Sequence, residues 1–320
     1  MKVLVTGCAG FIGFHLCKEL SENKRFNVYG IDNLNNSYDL KLKNNRLNIL
    51  KKKKRFSFRK LDITNKRNLN SFFKNNRFKY VIHLAAKAGV RDSILNPRDY
   101  LDSNIVGFFN ILDISMRNKI NHFIYASTSS VYGETKKFPS SENDITDYPV
   151  SFYAASKKSN EVLAYSYSSI YKMPTTGLRF FTVYGPYGRP DMAPQKFTDL
   201  ISNKKSIDVY NYGKHVRDFT YIDDVIKSVI RLINKPSKSN VPYNIFNIGS
   251  QNPKSIMSLI SNIEKRLNIK SKKKFLAFQK GDVYKTFADS KALIRYIKYR
   301  PSTSIKDGII KLVDWYKNYK

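Results

Sequence analysis

Residues 1–13 read MKVLVTGCAGFIG, and the fold turns on how they are understood. A short apolar run leads into three glycines, Gly7, Gly10 and Gly13, spaced three apart, and an amphipathic segment follows at once. A strand apolar on both sides is one buried on both faces, as in a parallel sheet covered by helices. The glycines permit a tight turn and close approach to the main chain, and the first N–H groups of the next helix can receive a pyrophosphate. Asp32 then closes the second apolar run, where a carboxylate would accept hydrogen bonds from a ribose diol and repel a 2′-phosphate. Asp62, in KLDIT at the end of the third run, would reach the adenine side. A glycine trio alone is also what a structural turn looks like. Strand, turn, helix and acid in this order point to a dinucleotide site that prefers NAD.

The alternation continues outward. Strands are expected at 2–6, 27–31, 56–61, 80–84, 123–127 and 175–181, and helices at 11–21, 100–117 and 153–171. This is an α/β pattern, a Rossmann-type doubly wound parallel sheet. Beyond about residue 182 the pattern loosens, with GPYGRP, KPSKSNVP and SQNP marking loops. That half is expected to be a smaller, mixed C-terminal substrate lobe closing over the carboxyl ends of the strands. The division is drawn at 1–181 and 182–320, with the chain free to cross between the lobes.

Composition narrows the function. The 320 residues are 42% hydrophobic and 14% aromatic, which is globular rather than disordered. Lys and Arg number 57 against 25 Asp and Glu, a net charge of +32. The densest basic run, KKKKRF at 51–56, has no interleaved aromatic platform, so a solvated face is expected rather than nucleic-acid binding. No run of about 18 apolar residues occurs, so no membrane span is expected, and the opening residues read as a strand rather than as a secretory leader. Cys8 and Cys17 suit a reducing compartment, so a cytoplasmic protein is expected. His15, His83, His122 and His215 are scattered without metal-ligand spacing. His83 reads as a packed core residue and Trp315 as helix packing.

Two further stretches carry chemistry. ASTSSVYG places Thr128, Ser129 and Ser130 at the carboxyl edge of the sheet, where ligands of open α/β sheets bind. SFYAASKK, at 151–158, places Tyr153 one helical turn before Lys157. An ammonium beside a phenol favours the phenolate, and with a hydroxyl the pair can move a proton while a nicotinamide takes a hydride. Alone, the Ser/Thr run is a turn bonding its own backbone, and Tyr-x-x-x-Lys is weak in a chain with 22 Tyr.

Together with VIHLAAKAGVR, DNLNNSYDLKLK, GLRFFTVYGPYGRPDMA, DVYNYGKHVRDFTYIDD and KGDVYKTFAD, these stretches resemble the extended short-chain dehydrogenases/reductases of the sugar-nucleotide epimerase and dehydratase family. The likeness runs nearly end to end. DNLNNSYD and TVYGPYGRPDMA single out the UDP-glucuronate 4-epimerases within it. The resemblance implies NAD held by Gly7, Gly10, Phe11, Ile12, Gly13, Asp32, Asn33, Asp62, Ile63, Leu84, Ala85, Ala86, Asn104, Ser127, Tyr153 and Lys157. It implies that Tyr153 takes the proton of the sugar 4-OH, that Lys157 tunes it, and that Thr128 bonds the same oxygen. The 4-keto sugar would then swing to expose its other face.

The uridine diphosphate would be gripped by Arg217 and Asp282, and the uronate carboxylate by Arg189 and Thr182 with Ser129 and Ser130. Arg91 is a further pocket candidate, whereas Lys87 and Gln279 depart from the pattern of relatives. Related decarboxylases and dehydratases carry an acid directly after the catalytic Thr. Here those positions are Ser129 and Ser130, which argues against loss of CO₂ and against elimination. A homodimer through the helices at 100–117 and 153–171 is implied as well. Two alternatives stay open: an epimerase of neutral UDP-hexoses or their N-acetyl forms, and an inactive NAD-binding scaffold.

Overall fold

The computed structural model describes residues 1–279 and 281–319. In chain order its first elements are β1 (Lys2–Thr6), α1 (Phe11–Glu22), β2 (Asn27–Asp32), α2 (Leu40–Lys51), β3 (Phe56–Lys60), α3 (Lys66–Lys74) and β4 (Tyr80–His83). Next come α4 (Val90–Leu95), α5 (Pro97–Tyr100), a π-helical segment Leu101–Gly107, α6 (Phe108–Arg117), β5 (His122–Thr128), α7 (Phe152–Tyr171) and β6 (Thr175–Phe180). The remainder comprises β7 (Thr182–Tyr184), α8 (Ala193–Ser202), β8 (Ile207–Val209), β9 (Val216–Arg217), β10 (Phe219–Tyr221), α9 (Ile222–Ile233), β11 (Tyr243–Ile248), β12 (Lys254–Ser255), α10 (Ile256–Leu267), β13 (Lys273–Phe275), α11 (Lys291–Ile297) and α12 (Ile305–Tyr319).

Seven strands form one sheet in the order β11-β6-β5-β4-β1-β2-β3. The ladders β1–β2, β2–β3, β1–β4 and β4–β5 are parallel. The order reverses between β1 and β4, so the connections leaving these neighbours diverge and open a crevice at their carboxyl ends. Val3, Leu4, Val5, Val81, Ile82, Phe123 and Ile124 are fully buried, as a sheet covered on both faces requires. Leu4, Ile31, Val81, Phe108, Phe123 and Tyr125 belong to one continuous apolar cluster.

The chain divides into two compact units. The first holds 1–133, 145–179 and 226–246, and the second holds 134–144, 180–225 and 247–320. Residues 134–144 thus group with the later segments, and 226–246 with the earlier ones. In the second unit β7 pairs with β10 in parallel, β8 with β13 in parallel, and β9 with β12 antiparallel. Helix α10 packs on α8 and α12, burying Leu259, Ile260, Ile263, Leu312 and Val313.

Two local expectations change. The helix expected at 100–117 is regular only from Phe108, and its preceding turns are π-helical over Leu101–Gly107. Widened turns of this kind are favoured where a neighbour takes up the displaced backbone groups, and here Asn160 Nδ2 donates to the Asn104 carbonyl (2.6 Å). The C-terminal half is also more regular than its loops indicated, because helices α8 to α12 and the short strands β8 to β13 occupy much of it.

Candidate active site

At the end of β1 the chain turns through Gly7, whose φ of +71° favours glycine. A Cβ there would lie 2.8 Å from Ala85 N, and one on Gly13 would lie 2.1 Å from Gly7 O. Main chain therefore packs on main chain, and α1 begins at Phe11, after Gly10 as its N-cap, with its first N–H groups at the turn. Such a cradle, with no side chains between it and a ligand, fits the pyrophosphate of a dinucleotide. Phe11 and Gly13 are buried and Ile12 is half-buried.

Asp32, buried at the end of β2, accepts from Ala9 N–H (3.1 Å) and Leu34 N–H (2.9 Å), so it braces the glycine turn as well as facing its neighbourhood. Asn33 donates to Asp62 Oδ2 (2.8 Å), and Thr64 donates to Asp62 Oδ1 from its N–H and hydroxyl. Burial works to raise the Asp62 pKa, but these donors outweigh it and hold the carboxyl below its usual range. Ile63 packs against Gly107, and its carbonyl accepts from Asn110 (3.0 Å). Thr6 Oγ1 receives the N–H groups of Leu84 and Ala85 and meets His83 Nδ1 at 2.9 Å, so His83 is the core residue expected. Ala86 is half-buried beyond them.

Thr128 closes β5, and the turn Ser129–Tyr132 follows it. Its hydroxyl accepts from Ser130 N–H and donates to Ser130 Oγ, both at 3.2 Å. Helix α7, capped by Ser151 accepting from Ala154 N–H (3.1 Å), packs against β5 and this turn. Tyr153 lies in its first turn, half-buried, edge-on to Tyr100. Lys157, one turn on, is 2% exposed. Burial brings its pKa down from 10.5 to about 7, with Glu161 acting the other way. Burial, and then the charge of Lys157, depress His83 to about 3, which keeps it neutral.

Beneath these residues lies a network that the sequence did not announce. Arg179 on β6 makes two bonds to Glu161, Nε to Oε1 and Nη2 to Oε2, each 2.9 Å. It also donates to the Tyr132 hydroxyl (3.0 Å), while Ser127 donates to Glu161 Oε1 (2.6 Å). Thus one ion pair links the residue before Thr128, the end of its turn, and the helix of Tyr153 and Lys157. Glu161 continues the i, i+4 row of Tyr153 and Lys157, and that spacing was the available signal. Asn104 is committed internally: its amide bonds Lys87 N–H and C=O and Ser156 Oγ. Arg91 is exposed on α4, and Lys87 pairs with Asp99 (2.9 Å).

The second unit carries the remaining candidates. Thr182 N–H donates to the Asp218 carbonyl (3.1 Å). The buried Asp218 carboxylate accepts from Ser250 N–H and Oγ, Gln251 N–H and Ala288 N–H, fastening three segments around Arg217. Arg217 donates to the carbonyls of Val216 and Tyr284, both at 3.0 Å, and meets His215 Nδ1 at 3.3 Å. Asp282 lies 3.8 Å from His215 Nε2. Arg189 forms a two-point pair with Asp191, at 3.1 and 2.7 Å. Among the described residues no group of three or more His, Cys, Asp or Glu could hold a metal, and no helix is long and apolar enough to cross a membrane.

Residues 3–249 match the NAD dependent epimerase/dehydratase family. Protein CapI of Staphylococcus aureus is 47% identical over 333 residues, covering 100% of this chain and 99% of that protein. A probable UDP-glucuronate 4-epimerase of Rhizobium meliloti is 40% identical, covering 100% and 98%. The crystal structure of the UDP-glucuronic acid 4-epimerase of Bacillus cereus, in complex with UDP-glucuronic acid and NAD, aligns with a TM-score of 0.94 at 36% identity, covering 100% of both chains.

Proposed function

The chain belongs to the NAD dependent epimerase/dehydratase family, and from that premise we propose that it interconverts UDP-glucuronate and UDP-galacturonate. The observation that carries the reading is the buried Lys157 one helical turn from Tyr153, on the helix that packs against the end of β5 and its Thr128–Ser129–Ser130 turn. NAD, when bound, supplies a reversible acceptor for the hydride at C4. The glycine cradle, Asp32, Asp62 and the stretch Leu84–Ala86 would hold it.

The residues of the chain manage the proton. Tyr153, as phenolate, would take it from the sugar 4-OH, and Thr128 would bond the same oxygen and fix its position. A charged Lys157 lowers the cost of the phenolate. The uridine diphosphate has to stay anchored while the oxidised sugar turns, so binding energy from the unreactive end does the holding. Arg217 and Asp282 fit that part. Arg189 has the planar fork suited to a carboxylate, and its pairing with Asp191 displays that geometry. A 4-keto uronate is a β-keto acid, so a held carboxylate and the absence of an acid at Ser129 and Ser130 both favour epimerisation over loss of CO₂.

The protein is further proposed to be cytoplasmic and to form a homodimer. Phe109 on α6, with Val162 and Tyr165 on α7, leaves apolar side chains exposed there. Separate incubations with UDP-glucuronate and UDP-glucose, resolved by chromatography and NMR, test the substrate. UDP-galacturonate without any pentose product is expected. UDP-galactose alone would move the activity to neutral sugars, UDP-xylose would overturn the argument from Ser129 and Ser130, and no turnover of either sugar would leave a binding protein.

A further inference from the structure

His215 is not used by the mechanism above, yet its surroundings are those of a ligand contact. The residue is 7% exposed, just before β9, and its carbonyl accepts from Ile256 N–H at the start of α10 (2.9 Å). Arg217 Nη2 lies 3.3 Å from Nδ1. A guanidinium only donates, so Nδ1 accepts and the ring proton sits on Nε2. Burial, and then the charge of Arg217, lower the ring's pKa, with Asp282 opposing, so the imidazole is neutral near pH 7.

That leaves Nε2–H as a buried donor with no partner among the described residues. The carbonyls of Val283 and Tyr284 also face the ring, but neither meets Nε2 in bonding geometry. Unpaired buried donors are uncommon and call for an explanation. Asp282 Oδ2 stands 3.8 Å away, too far for a direct bond. At that separation a single oxygen can still bridge the two, about 2.8 Å from each, with an angle of about 85° at the oxygen. Such an oxygen must accept from Nε2–H and donate to a carboxylate. A hydroxyl does both, whereas an ionised phosphate oxygen cannot donate. Gln279 Oε1, on the turn closed by Asp282 N–H, is a second buried atom without a partner among the described residues. The Phe278 ring lies 5.5 Å from the imidazole.

We propose that His215 is a substrate-binding residue that, with Asp282, takes one hydroxyl of the uridine ribose. The proposal rests on the reading that Arg217 and Asp282 hold the nucleotide end of a UDP-sugar. The test is calorimetric titration of UDP, 2′-deoxy-UDP and 3′-deoxy-UDP into the NAD-loaded protein. The wild type should bind one deoxy form roughly tenfold more weakly, the loss of one hydrogen bond with a buried donor left unpaired. In His215→Asn the acceptor for Arg217 is kept but the far donor is withdrawn, and the preference should shrink to within about twofold. Should that variant melt early, His215→Leu measures the same ratio.

An unchanged preference in the variant, equal weakening toward all three nucleotides, or no preference in the wild type overturns the proposal. Arg217→Leu separates the two layers of the argument. If it binds UDP as the wild type does, the placement of the nucleotide at Arg217 fails. If it weakens UDP while His215→Asn leaves the ribose preference intact, only the role of His215 fails.

Discussion

Replacing Lys157 with Met should stabilise the cofactor-free protein near neutral pH while abolishing turnover. The side chain is 2% exposed on α7, and burial brings its pKa from 10.5 to about 7. Between those values the unfolded chain binds a proton at this position that the folded chain does not. Stability therefore rises with pH across that window, and the full penalty of the buried charge applies below about pH 7. The gap corresponds to a penalty on the order of 5 kcal/mol before local relaxation. Met has a similar volume and no charge to bury, so most of the penalty should disappear. Glu161 loses its attraction to Lys157 but keeps its two bonds to Arg179. Thermal unfolding of the cofactor-free wild type and variant, followed by circular dichroism near pH 6.5 and near pH 9.5, measures the effect. The variant should melt several degrees higher at the lower pH, with a smaller difference at the higher. A variant that melts lower than wild type near pH 6.5, or a difference that does not change with pH, would refute the reasoning.

Other perturbations have equally definite outcomes. Gly13→Ala places a Cβ 2.1 Å from Gly7 O, which has to give way by at least about 1.3 Å to reach ordinary contact. The purified variant should hold little NAD while melting within a few degrees of wild type, as read by NAD released on denaturation. Tyr153→Phe should retain fold and NAD while turnover falls by roughly 10²- to 10⁴-fold, and full turnover would remove Tyr153 from the mechanism. Glu161→Gln leaves Arg179 without its counter-charge in a pair whose side chains are only 5% and 4% exposed. Breaking such a pair from one side costs about 3–5 kcal/mol, so denaturant unfolding should show a loss of that order.

What the sequence made legible was mostly local. Gly7 is required by its positive φ and Gly13 by contact with the Gly7 carbonyl in the same turn, and Tyr153 and Lys157 are related by the pitch of one helix, so spacing located them. The Glu161–Arg179 pair escaped because it joins a helix to β6, and only the packed fold shows that the two side chains meet. The widening at Leu101–Gly107 escaped for the same reason, since its support comes from Asn160 on another helix. Residues 134–144 and 226–246 belong to units that linear order does not assign them, because they pack with strands and helices distant in sequence. In the C-terminal half, Gly- and Pro-containing loops drew the eye away from helices such as α9, although Ile222, Val225, Ile226, Val229, Leu232 and Ile233 are buried at helical spacing. His215 carries no local signal at all; its significance lies in an unpaired nitrogen near Asp282.

The central claim is that the hydrogen at C4 of the sugar leaves and returns to the same carbon on its other face. UDP-glucuronate deuterated at C4, incubated with the protein in ordinary water, tests this most directly by NMR and mass spectrometry of the product. UDP-galacturonate that keeps its deuterium at C4 is the result predicted. Product in which C4 carries hydrogen from the solvent would contradict it.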